Sequence, residues 1–153
     1  MTRYFAYGSN LVTERMHERG AAFAAARPAV LRDHQLRFDK AGRDGTARAN
    51  VGRAVGGQVF GVVYDLRREG LEALKLYEVG YDLAEVLVEC PRPDGGVEVV
   101  TARTFVARPD RRTEAPPSRG YVELILEGMR QHQLPDAARA DVERAAGLGP
   151  LQR

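Results

Sequence analysis

The chain is short of the side chains that most catalytic chemistry relies on. It has a single cysteine, Cys90, so no intramolecular disulfide is possible and no cysteine cage for a metal can form. Serine occurs only at 9 and 118, and Ser9 stands outside a Gly-x-Ser-x-Gly elbow. The histidines, at 17, 34 and 132, have no metal-ligand spacing. A nucleophilic triad and a catalytic metal are therefore not expected, and no cofactor is assigned. Cys90 falls in a predicted strand just before a turn and reads as a buried, inert thiol. His17 reads as a surface residue of a charged helix, and His132 as a helix-end residue facing the last carbonyls.

Charge of one sign is also scarce. Formal net charge is +2, and the basic residues are spread along the chain, almost all as arginine, with lysine only at 40 and 75. Arg111-Arg112 is the nearest approach to a basic cluster. A nucleic-acid surface needs clustering, so no nucleic-acid partner is expected. No apolar run approaches the ~20 residues that span a bilayer, which excludes a helical membrane segment. The first residues lack the charged-then-apolar pattern of a signal peptide, so a cytoplasmic protein is expected. Length and an ordinary apolar fraction of 44% point to one domain over 1–153.

What is present is a mixture of strand and helix patterns without regular βα alternation, which argues for an α+β fold. Strands are expected over 28–32, 35–40, 57–66, 83–90 and 97–107, with turn-rich loops at 41–46 and 91–96. A helix over about 67–77 delivers Glu78 at its C-terminal end. Ser118 is a suitable N-cap for a helix that carries Tyr121, Ile125 and Met129 along one face, and a last helix over 136–146 stops at Gly147.

Two places carry chemistry. Residues 4–11 read Tyr-Phe-Ala-Tyr-Gly-Ser-Asn-Leu. They describe a short aromatic strand, a glycine turn and a helix over about 11–19, with Asn10 as its N-cap and Gly20 as its stop. Such a turn presents unpaired N–H groups to an anion or a developing oxyanion, and Gly8 has no Cβ to hold a ligand away. The second place is Glu78, the one carboxylate set among Leu74, Leu76, Tyr77, Val79 and Tyr81. A lone carboxylate in apolar surroundings has a raised pKa and is a usable general acid or base near neutrality. The competing reading is a helix-end glutamate turned to solvent or paired with an arginine.

The opening octapeptide resembles the N-terminal signature of the γ-glutamylcyclotransferase family almost letter for letter. Thr46-Ala-Arg-Ala-Asn50, Val59-Phe-Gly-Val-Val-Tyr-Asp-Leu66, Leu74-Lys-Leu-Tyr-Glu78 and Pro116-Pro-Ser-Arg-Gly-Tyr121 follow in the family's order and at near-family spacing. The resemblance covers roughly 3–130. It implies a small mixed β-barrel with surrounding helices, and it places the family's catalytic glutamate at Glu78. Tyr121 matches a family tyrosine of the binding cleft, although its helix position fits a core aromatic equally well. Resembling sequences carry Asp where Lys75 stands and Gly where Val79 stands. Only Val79 and Gly80 precede Tyr81 here, so Gly80 is expected to supply the turn.

The reaction implied by the resemblance is intramolecular. The α-amine of a small γ-glutamyl compound attacks its own γ-carbonyl, releasing 5-oxoproline and a free amine or amino acid. Glu78 would serve as general acid and base, while Tyr7, Gly8, Ser9, Asn10, Leu11 and Tyr121 would bind substrate. The leaving group could be an amino acid, a peptide such as glutathione, a lysine side-chain amine or another amine. Two further readings stay open: a non-enzymatic binding module of the same fold, and an amide hydrolase in which Glu78 activates water.

Overall fold

The computed structural model describes residues 1–147. Five strands, β1 (Thr2–Ala6), β2 (Phe23–Ala41), β3 (Ala47–Leu66), β4 (Tyr81–Pro91) and β5 (Val97–Ala107), close into a barrel in the order β1-β3-β2-β4-β5. Closure comes from a parallel pairing of β1 with β5, at Tyr4 and Arg103, while the other neighbours run antiparallel. Helices α1 (Thr13–Glu18), α2 (Arg68–Lys75), α3 (Arg119–Gln131) and α4 (Asp136–Ala146) join it. The architecture is α+β, as expected, and the barrel is the one implied by the family resemblance. No helix among the described residues is long and apolar enough to cross a membrane.

The β2–β3 hairpin is far longer than the sequence pattern suggests. The two short strands expected before residue 41 are one 19-residue strand, and β3 begins at Ala47, ten residues ahead of the expected start at 57. Gly56-Gly57 punctuates the sequence without ending the strand. Opposite it, Asp33 takes a left-handed conformation (φ 58), its carboxylate accepts a hydrogen bond from the Gly56 N–H at 2.9 Å, and the register shifts between Arg32 and His34. A Cβ on Gly57 would stand 2.6 Å from the His34 carbonyl oxygen, so this bulge needs glycine.

The local signals around α3 and α4 hold. The Ser118 hydroxyl accepts from the Tyr121 N–H at 3.2 Å, and α4 ends at Gly147 with φ 65. The buried face of α3, with Val122, Ile125, Leu126 and Met129, packs against the chain just after β1. Close approach is possible because residue 128 is glycine: a Cβ there would lie 2.5 Å from Leu11 Cβ. The core joins this layer to the barrel interior, where Phe5, Val62, Tyr64, Val88 and Val100 are fully buried. Cys90 is buried too, and burial pushes its thiol pKa up, away from reactivity.

Candidate active site

The end of β1, the start of β3 and the connection from α2 to β4 meet at one mouth of the barrel. Glu78 follows α2 directly: its N–H still donates to the Leu74 carbonyl at 3.1 Å, although the regular helix stops at Lys75. Its carbonyl accepts from the Tyr81 N–H at 3.3 Å, and Gly80, with φ 88, makes this tight return possible. The Glu78 side chain is turned inward and is 15% exposed. Oε1 accepts from Asn10 Nδ2 at 3.0 Å and from Arg19 Nη1 at 3.1 Å. Oε2 takes no hydrogen bond among the described residues, so one carboxylate oxygen is fixed and the other is free.

The surroundings of Glu78 differ from those its neighbours in sequence suggested. Leu76, Tyr77 and Val79 are exposed, and the carboxylate sits instead with Arg19 and Asn10. It is paired with an arginine and yet has a raised pKa. Burial pushes the carboxyl up, and Arg19, Asn10, Lys40 and Arg15 together only partly offset it.

The turn after β1 is held from below. Residues Ser9–Leu11 form one 3₁₀ turn, and α1 begins only at Thr13. Asn10 is not an N-cap. Its side chain is buried and points inward, donating to the Tyr4 hydroxyl at 2.8 Å and to Glu78, while its Oδ1 accepts from Arg19 at 3.0 Å. An inward amide cannot also reach the N–H groups of α1. Below the turn, the Tyr64 hydroxyl donates to the Asn10 carbonyl at 2.8 Å, and His132 Nε2 lies 2.8 Å from the Leu11 carbonyl. His132 thus serves the opening turn, and not the carbonyls of its own helix. His17 is exposed, as expected, and stacks on Phe23.

Above the turn lies a cavity of about 30 Å³, bounded by Tyr7, Gly8, Ser9, Asn10, Glu78 and the ring of Tyr121, with Tyr4, Ala49, Tyr81 and Phe105 completing the wall. That volume suits one small polar group, such as a carboxylate or a water or two. Among the described residues, the N–H groups of Gly8, Ser9 and Asn10 are taken by no backbone carbonyl. The Leu11 N–H is spent on the Gly8 carbonyl at 3.0 Å and its side chain is fully buried, so Leu11 supports the turn without lining the cavity. Tyr7 is buried, with its hydroxyl donating to the Phe105 carbonyl, which leaves its ring to shape the wall.

Tyr121 lines the cavity and is packed against its neighbours as well. Its ring packs edge-on against Phe38, while its hydroxyl accepts from the Ala49 N–H at 3.0 Å. The phenolic proton remains available, and burial pushes its pKa up, so the group stays a donor through neutral pH. Tyr81, whose hydroxyl donates to the Ala49 carbonyl at 2.7 Å, holds the same residue by its other backbone group. A second, wider cleft of about 300 Å³ shares Ser9, Glu78, Tyr81 and Tyr121 with the small cavity.

The family model described as gamma-glutamyl cyclotransferase, AIG2-like, matches residues 4–123, which takes in the turn, Glu78 and Tyr121. The chain belongs to this family. Human gamma-glutamylcyclotransferase is 31% identical over 138 residues, covering 86% of this chain and 72% of that protein. The mouse protein of the same name is 29% identical over 137 residues, with the same coverage. A solved structure of a gamma-glutamyl cyclotransferase superposes with a TM-score of 0.77 at 30% identity, covering 92% of this chain and 85% of that one. YkqA from Bacillus subtilis superposes at 0.81 with 26% identity, covering 99% of this chain and 56% of that one. The γ-glutamylcyclotransferases are enzymes, and in this chain Gly8, Asn10 and Glu78 meet around one cavity.

Four participants escaped sequence reasoning: Tyr4, Arg15, Arg19 and Tyr81. Arg19 lies 59 positions from Glu78, at the end of a helix whose charged residues read as surface. No local signal marks it.

Proposed function

We propose that the protein converts a small γ-glutamyl compound to 5-oxoproline and a free amine, with Glu78 as the general acid and base. The observation that carries this reading is the geometry of Glu78. One oxygen is fixed by Asn10 and Arg19 and the other is free, beside a cavity lined by unspent N–H groups.

The substrate's α-ammonium, with a pKa of about 8, must lose a proton before it can attack. Glu78 Oε2 takes that proton, and the raised pKa of the carboxyl narrows the gap between donor and acceptor. The amine nitrogen then bonds to the γ-carbonyl carbon and a five-membered ring closes. As the amide C–N bond breaks, Glu78 returns that proton to the leaving nitrogen, then takes the second proton from the ring nitrogen and passes it to the released amine, which departs as an ammonium. Atoms balance without water or a metal.

The N–H groups of Gly8, Ser9 and Asn10 hold the substrate's α-carboxylate and stabilise the oxyanion, and the Tyr121 hydroxyl donates a further hydrogen bond. The small cavity holds one end of the substrate and the adjoining cleft the rest, so that amine and carbonyl meet at Glu78, which is worth several orders of magnitude in rate by itself. The test is product analysis on a panel of γ-glutamyl compounds. Release of 5-oxoproline supports cyclotransfer. Release of glutamate identifies a hydrolase, and binding without turnover identifies a binding module.

A further inference from the structure

The wider cleft is strongly and unevenly charged. Arg15, Arg19, Lys40, Arg43 and Arg48 all line it, and among the described residues Glu78 is its only carboxylate. Glu78 is already committed to Arg19, and Arg48 has only a loose pairing with Asp44, at 3.6 Å. Arg15, Lys40 and Arg43 have no anionic partner among the described residues. Lys40 is 9% exposed, forms no ion pair among the described residues, and has its ammonium 4.9 Å from the centre of the Tyr81 ring. Arg15 Nε is buried without a hydrogen-bond partner.

A buried ammonium without a counter-charge is costly, and a protein rarely keeps one on the same wall as a half-buried guanidinium with an unpartnered Nε without something to neutralise them. Burial lowers the pKa of Lys40, and Arg111 and Arg48 lower it further against the pull of Glu78. A single carboxylate would leave most of this charge unmatched.

Given the proposed cyclotransfer, which puts the scissile bond at Glu78 between the small cavity and the cleft, the cleft receives the leaving group. We infer that the preferred substrate is a γ-glutamyl compound whose leaving amine carries two acid groups, as in an acidic amino acid. Lys40 and Arg15 set this preference, and Arg43 and Arg48 extend it toward the rim. A volume of about 300 Å³ lies at the lower end of small-molecule sites and accommodates such an amino acid. An amine bearing its own positive charge is disfavoured.

The test compares kcat/KM for four compounds, followed by loss of substrate. These are γ-glutamyl-glutamate (two acid groups on the leaving amine), γ-glutamyl-glutamine (one), γ-glutamyl-ethylamide (none) and the γ-glutamyl conjugate of the lysine side-chain amine. The expected order follows negative charge, with about fivefold per acid group at low salt and less at high salt. Lys40→Met keeps the aliphatic stem, and it should lower the glutamate-to-glutamine ratio about two- to threefold. Arg43→Ser, at an exposed position, should lower the same ratio by a smaller factor and guards against a folding defect in the first variant. Equal kcat/KM across the panel with 5-oxoproline as product overturns this inference and leaves cyclotransfer standing. Glutamate released in the same charge order does the reverse. Ratios unchanged in both variants remove Lys40 and Arg43 from substrate selection and overturn the assignment of the cleft.

Discussion

Replacing Glu78 by glutamine separates the two things this carboxylate does. Both hydrogen bonds to the side chain are received by Oε1, from Asn10 and Arg19. An amide oxygen can receive both, without the charge that strengthens the bond from Arg19, so Glu78→Gln should keep the loop geometry. What disappears is the free Oε2 as a proton acceptor. Loss of a general acid–base group typically lowers turnover by ~10²–10⁴, equivalent to about 3–5 kcal/mol of barrier.

Stability responds differently, and its sign follows from the raised pKa of the native carboxyl. Between the unfolded and the native pKa the folded state holds more protons. The contribution of Glu78 to stability is therefore full below its unfolded pKa and falls as pH rises through the native one. Glutamine has no such dependence. Heat denaturation of both proteins from about pH 4 to about pH 8 should show the variant gaining on the wild type as pH rises, until Glu78 is fully ionised. The absolute offset also contains the loss of Arg19's ionic partner, so the slope is the quantity to read. In the wild type, kcat/KM should rise with pH through a group titrating above the usual carboxylate range. Wild-type kcat in Glu78→Gln, or a variant that loses stability relative to the wild type as pH rises, would refute the assignment.

Three further outcomes are expected. A Cβ on Gly8 would lie 3.2 Å from Ala49 Cβ and 3.6 Å from the Tyr121 hydroxyl, so Gly8→Val fills the small cavity and should abolish ligand binding in calorimetry; an unchanged affinity would remove the cavity from the site. Acetylating the substrate's α-amine delocalises the attacking lone pair and should stop product release with the γ-linkage intact, as checked by chromatography; release of N-acetylglutamate at a rate near that of the free amine would exclude cyclotransfer. Gly128→Leu overlaps Leu11 and should destabilise the fold by about 1–3 kcal/mol or more in chemical denaturation, displacing α3 from the opening turn.

Elements set by short-range chemistry were legible in the chain. The Ser118 cap, the Gly147 stop, the Gly80 return and the placement of Glu78 just past α2 each depend on a few adjacent residues. The glycine turn at Gly8 is of the same kind. Asn10 misled because a good capping residue was drawn away by partners distant in sequence, Tyr4 being near but Glu78 68 positions off. Gly56-Gly57 misled because two glycines look alike whether they end a strand or form a bulge inside it. Only the Asp33 side chain on the facing strand distinguishes the two.

By itself the sequence determined the candidate pieces: one carboxylate set apart from the others, one glycine turn with N–H groups to offer, and no thiol, serine or histidine constellation to compete with them. Tertiary structure alone decided their chemistry. Barrel closure between Tyr4 and Arg103 brings β1 and β5 together, and packing of α2 against the barrel sets Glu78 over the opening turn. Arg19, Asn10 and the burial of that mouth then govern which Glu78 oxygen is free and how strongly it holds a proton. Those are sums over charges and solvent exclusion in three dimensions, and no window along the chain contains them.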